Sequence, residues 1–158
     1  VIALSTAPTP LFRYLRDSEA TIEIVGGDAR LGLERARQSY DFDVLAVDAF
    51  SSDSVPVHLL TREAFALYAR HLHGPHSVLA VHVSNRYLDL EDIVQAGGAT
   101  AGFVTFEAIN DIEDNDSERS TWMLLARDPA ALAPFGPLRD AVIGVQPWTD
   151  ASSNLLRR

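Results

Sequence analysis

Asp48 closes an apolar run. The residues Val44-Leu45-Ala46-Val47 are all apolar, and the carboxylate that follows them opens a small polar loop, Ala49-Phe50-Ser51-Ser52-Asp53-Ser54-Val55-Pro56. A carboxylate ending an apolar strand has few structural reasons to be there. In an open α/β sheet, ligands bind outside the carboxyl ends of the strands, so Asp48 stands where such a sheet would place a working acid or base. Asp53 is a second carboxylate in the same loop, although Ser-Asp-Ser sequences also make ordinary turns. Asp28 follows Gly26-Gly27 and precedes a helical pattern, which is the place of an N-cap.

Other chemistry-bearing residues read more plainly. His71, His73 and His76 gather at a helix end and a Gly-Pro turn, where histidine suits the helix dipole. No carboxylate at ligand spacing completes a metal set with them. His82 reads as a hydrogen-bonded core or sheet-end residue. Ser51 and Ser52 lack the Gly-x-Ser-x-Gly setting of a hydrolase nucleophile. Gly26-Gly27-Asp28 lacks the glycine spacing of a dinucleotide fingerprint. Trp148 either lines a pocket or pins the tail to the body.

The elements that must hold these residues follow from the hydrophobic pattern. Val1–Leu4 is expected as a short strand, and Leu11–Leu15 as a short helix or turn. Thr21–Val25 alternates and is rich in β-branched residues, which predicts a strand. A helix capped by Asp28 is expected to run to about Ser39. Asp43–Val47 predicts a strand covered on both faces. Leu60, Ala64, Phe65, Leu67 and Tyr68 recur at spacings of three to four, so Leu59–Leu72 predicts a helix stopped by Gly74-Pro75. Ser77–Val83 predicts a strand, and Asp89–Ala96 a short helix ended by Gly97-Gly98. Ala101–Glu107 and Thr121–Ala126 predict two strands flanking an acidic loop, with a last helical turn at Asp128-Pro129 and an irregular tail from Pro137. Alternation predicts parallel pairing, and the closing strand pair predicts an antiparallel hairpin at one edge. That combination predicts an α/β, Rossmann-like sheet and, by fold-level analogy alone, suggests the class used for S-adenosylmethionine chemistry.

The bulk properties bound the function. A chain of 158 residues is one domain by the length prior. The net charge of −9 disfavours nucleic acid as a partner and suits a cationic small molecule. With no cysteine, disulfides, thiolate catalysis and Cys-based zinc sites are excluded, which fits a reducing, cytoplasmic setting. No apolar run is long enough to span a bilayer, and no signal peptide is visible.

Three strings carry a family resemblance: Gly26-Gly27-Asp28-Ala29-Arg30-Leu31, Tyr40-Asp41-Phe42-Asp43-Val44-Leu45-Ala46-Val47-Asp48-Ala49-Phe50, and Leu59-Leu60-Thr61-Arg62-Glu63-Ala64-Phe65. Together they resemble the spermidine synthase (polyamine aminopropyltransferase) family. Val81-His82-Val83-Ser84-Asn85-Arg86-Tyr87-Leu88 and Pro147-Trp148-Thr149-Asp150 look like its bacterial branch, often fused to membrane segments. The resemblance implies transfer of an aminopropyl group from decarboxylated S-adenosylmethionine to an amine such as putrescine. It implies Asp28 as the adenine contact with the Ala29 backbone beside the ring, Asp48 as the amine-orienting base, and Asp53 with Ser51 and Ser52 as amine-binding residues. No permanently bound cofactor is implied, because a sulfonium is already an activated leaving group. A homodimer is implied by the family's habit.

A protonated amine has no lone pair, and amine pKa values lie near 10. A buried or partly buried carboxylate can attract the cation, orient it and accept its proton. The family's glycine-rich cosubstrate loop and the acidic residue ending its second strand have no counterpart here. The chain therefore reads as the C-terminal part of a single such domain, truncated at its N-terminal side. A methyltransferase, or a non-catalytic degenerate ligand-binding domain of a membrane-associated protein, are the alternatives.

Overall fold

A computed structural model of the chain describes residues 2–6, 12–49, 56–85, 88–112 and 119–152. Among the described residues, the N-terminal part contains three short helices, α1 (Ile2–Thr6), α2 (Tyr14–Asp17) and α3 (Ala29–Arg35). The first corrects the expected strand at Val1–Leu4. An apolar run that short does not distinguish strand from helix by periodicity, and the Thr6 hydroxyl bonds back to the Ile2 carbonyl at 3.0 Å, one helical turn away. The strand expected over Thr21–Val25 is likewise not formed. Its side chains are exposed and no described strand pairs with it. Strand propensity is a preference for a half-buried pleated surface, and this exposed segment pairs with no strand of the described sheet. The third helix starts where Asp28 predicts but ends at Arg35, short of Ser39.

The remaining elements alternate as expected. β1 (Val44–Val47), α4 (Arg62–His71), β2 (Val78–His82), α5 (Glu91–Thr100), β3 (Val104–Asn110) and β4 (Ser120–Ala126) follow in order. The sheet order is β1-β2-β4-β3. β1 and β2 are parallel, with Val44 opposite Val78 and Val47 opposite Val81. β4 runs antiparallel to both its neighbours, inserted between β2 and β3. Three of the four strands therefore point the same way, and the hairpin closes one edge. The last helical turn stands at Pro129–Ala131, with the Asp128 carboxylate accepting the Ala130 amide at 2.8 Å. No helix among the described residues is long and apolar enough to cross a membrane.

The core lies on one face of the sheet. Leu79 and Val81 of β2 and Met123 and Leu125 of β4 pack with Phe65 and Tyr68 of α4 and Val94 of α5. β1 contributes Leu45 and Val47 to that side, while Val44 is 63% exposed. The expectation that this strand is covered on both faces is thus corrected. In the described sheet β1 is an edge strand, and its outward positions meet no covering layer.

Gly97 and Gly98 do not end α5; they lie inside it. A Cβ on Gly97 would come within 2.5 Å of the Phe65 ring, and one on Gly98 would strike Leu125. Glycine there lets the helix backbone approach α4 and β4 closely, which outweighs its cost of about 1 kcal/mol in a helix interior. The helix stops instead at Gly102, with a φ of +80° and the Phe103 amide bonded to the Gly98 carbonyl at 3.1 Å. That left-handed glycine and back-reaching bond form a Schellman cap.

Candidate functional site

Parallel register decides what stands beside Asp48. With Val47 opposite Val81, the next residues on the two chains, Asp48 and His82, come level at the carboxyl end of the sheet. Strand alternation sends both away from the face that carries α4 and α5. Asp48 Oδ1 lies 2.9 Å from His82 Nδ1. On the other side of the ring, His82 Nε2 is 2.7 Å from Ser84 Oγ, which accepts the Thr121 backbone N–H at 2.8 Å. The antiparallel pairing of His82 with Trp122 stacks indole on imidazole, with centroids 4.8 Å apart and planes 17° from parallel.

A second cluster surrounds Asp28, at the start of α3. Its Oδ1 caps the helix by accepting the Leu31 amide at 2.9 Å, and its Oδ2 lies 2.9 Å from His58 Nε2. The Leu31 amide first, and then His58, hold this carboxyl below its usual range. Ala29 is the first, exposed residue of the helix. One position on, Arg30 turns inward. Its guanidinium makes a bidentate pair with Asp150, at 2.6 and 2.5 Å, and reaches the His58 carbonyl at 2.6 Å and Glu34 at 2.9 Å. Thr61 caps α4 through the Ala64 amide, accepts from Arg30 at 3.1 Å and donates to Asp150 at 2.8 Å. Arg30 holds the Asp150 carboxyl low, and Asp150 raises the guanidinium in return. These residues and Asp28 line an open cleft of about 810 Å³, together with Val57.

The sequence-predicted residues fall out as follows. Asp48 sits at the strand end as expected, but its side chain is 60% exposed rather than buried or partly buried. Edge position explains this, since nothing among the described residues packs outside it. Asp28 is a helix cap with a histidine on its second oxygen. Asp28 and Asp48 belong to separate hydrogen-bond sets. Ser51, Ser52 and Asp53 lie outside the described residues. Trp148 is buried in the core and bridges to Thr61, so it pins the tail. His71 is buried, accepts the Tyr40 amide at Nδ1 and bonds the Leu33 carbonyl through Nε2, which commits both ring nitrogens to structure.

Sequence reasoning missed the partners. His82 had a readable signal: Val78-Leu79-Ala80-Val81 ends in His82 as Val44–Val47 ends in Asp48, and parallel pairing aligns two such ends. Arg30 and Asp150 had none, being 120 residues apart.

No protein-family model matches the chain, and no curated protein matches it. Among solved structures, the chain is similar to the crystal structure of a probable spermidine synthase from Corynebacterium glutamicum. The TM-score is 0.55 and the identity 19%, over 84% of this chain and 55% of that one. A likeness at this identity shows the fold, a Rossmann-like sheet of the methyltransferase type. This chain spans about half the length of that protein.

Proposed function

We propose that this chain is part of a spermidine synthase-like transferase that moves an aminopropyl group from decarboxylated S-adenosylmethionine to an amine such as putrescine. The observation that carries the reading is the Asp48 carboxylate, held by His82 at the carboxyl end of a parallel strand pair in this fold. An alkylammonium ion binds the carboxylate, gives it a proton, and its nitrogen lone pair then attacks the carbon beside the sulfonium. The C–N bond forms as the C–S bond breaks, with its electron pair going to sulfur and methylthioadenosine leaving. Positioning and electrostatics suffice for such a reaction. Asp53, Ser51 and Ser52 are assigned to the amine, and Asp28 with the Ala29 backbone to adenine. The same reading has one partial domain of a cytoplasmic homodimer, joined to membrane segments in the full-length protein.

The test is methylthioadenosine release by the full-length chain supplied with decarboxylated S-adenosylmethionine and putrescine. Calorimetry with methylthioadenosine, on wild type and Asp28→Ala, tests the adenine contact. A non-catalytic ligand-binding domain is the second reading, favoured by the two protein partners that already hold the Asp28 carboxylate. Binding without turnover of either adenosyl sulfonium selects it.

A further inference from the structure

The Ser84–His82–Asp48 line has the connectivity of a hydrolytic triad, with hydroxyl on Nε2 and carboxylate on Nδ1. Its exposure runs the other way. In a triad the hydroxyl is presented to substrate and the carboxylate is buried behind the ring. Here Asp48 is 60% exposed, the His82 side chain 23%, and Ser84 is half-buried with its oxygen already accepting the Thr121 amide. The working end is the carboxylate, and the serine is the anchor.

We propose that His82 is a positioning residue, which donates Nδ1–H to Asp48 Oδ1 and so turns the other oxygen, Oδ2, toward a cationic nitrogen. This rests on the aminopropyltransferase reading above. The proton's place follows from both ends of the line. The Thr121 amide can only donate, so Ser84 Oγ must accept it and keeps one hydrogen to give. His82 Nε2, at 2.7 Å, is there to receive that hydrogen. The opposite tautomer would set a bare Nδ1 lone pair 2.9 Å from a carboxylate oxygen, acceptor against acceptor. A protonated ring would still donate to Oδ1, so Asp48 keeps its donor in either charge state. The Trp122 stack fixes the ring plane that aims this donor. Oδ2 has no partner among the described residues, so one oxygen is held and one is open.

The test measures aminopropyl transfer to putrescine by the full-length chain. His82→Leu is expected to lower kcat about 10- to 100-fold with the KM for decarboxylated S-adenosylmethionine within about twofold, as for a misaimed reacting group. His82→Asn, whose amide can donate from the position of Nδ1, is expected to recover kcat to within about fivefold of wild type. Wild-type kcat in His82→Leu, or an Asn variant as slow as the Leu variant, overturns the proposal. If the wild-type chain transfers no aminopropyl group, the functional reading falls separately. Nitrogen-15 resonances of the His82 side chain then decide. A proton on Nδ1, perturbed in Asp48→Ala, supports the positioning role, and a neutral ring protonated on Nε2 overturns it.

Discussion

The Arg30 cluster and the Asp48 line are both polar networks beside strand and helix ends, yet they are built for opposite purposes. Arg30 is sunk to 11% side-chain exposure, and its donors are divided among Asp150, Glu34, Thr61 and a carbonyl. A guanidinium stays charged at any working pH, so this cluster holds geometry and exchanges no proton. It ties α3, the start of α4 and the tail into one corner. The Asp48 line has a histidine at its centre, a backbone amide at its inner end and a carboxylate oxygen without a described partner at its outer end. Saturation makes a lock; a line satisfied at one end, with an oxygen lacking a described partner at the other, is the arrangement proposed above as a site.

The largest separation between the two comes from Asp48→Asn. Transfer is expected to fall about 100-fold, roughly 2.7 kcal/mol in the barrier, while the denaturation midpoint stays within about 0.5 kcal/mol of wild type because the side chain is exposed. A comparable loss of stability would make Asp48 another lock. Asp150→Ala should do the reverse. It strands the Arg30 charge in a buried setting and is expected to cost about 2 kcal/mol in urea unfolding, reduced from the fully buried case because Asp150 is 47% exposed. A cost below about 0.5 kcal/mol would mean the pair is ornamental.

Trp122→Leu sharpens the other side. Removing the ring that fixes His82 is expected to lower kcat about three- to tenfold, less than His82→Leu, consistent with stacking worth about 1 kcal/mol; an equal drop would assign the effect to the sheet. The smallest effect is in pH. The Asp28 and Asp150 carboxyls are held below their ordinary value of 3.8. Their contribution to stability is complete above that value and is lost as pH falls through the lower folded values. Thermal melts from pH 7 to 2 should show Asp150→Asn losing part of that acid limb, and an unchanged limb would deny the pair its share.

Much of the scaffold was legible because its signals are local. The spacing of Ala64, Phe65, Leu67 and Tyr68 marks one buried stripe of α4, and the abrupt end of Val44–Val47 marks a strand meeting a polar loop. Gly97-Gly98 misled for the same reason. As local signals they stop a helix, but the close approach of Phe65 and Leu125 makes them interior contacts. Thr21–Val25 has the composition of a strand and lacks a described partner, since a strand is a property of two segments.

By itself, the sequence determined the alternation of strands and helices from β1 onward, the closing hairpin, the Asp28 cap and the carboxylate at the end of β1. Each depends on residues within a turn or a strand of one another. Only the tertiary structure decided that His82 meets Asp48, that Ser84 anchors the ring, and that Arg30 finds Asp150 across 120 residues. Hydrogen-bond partners of this kind are set by strand register and by the closure of long loops, and neither leaves a trace in the spacing of nearby residues.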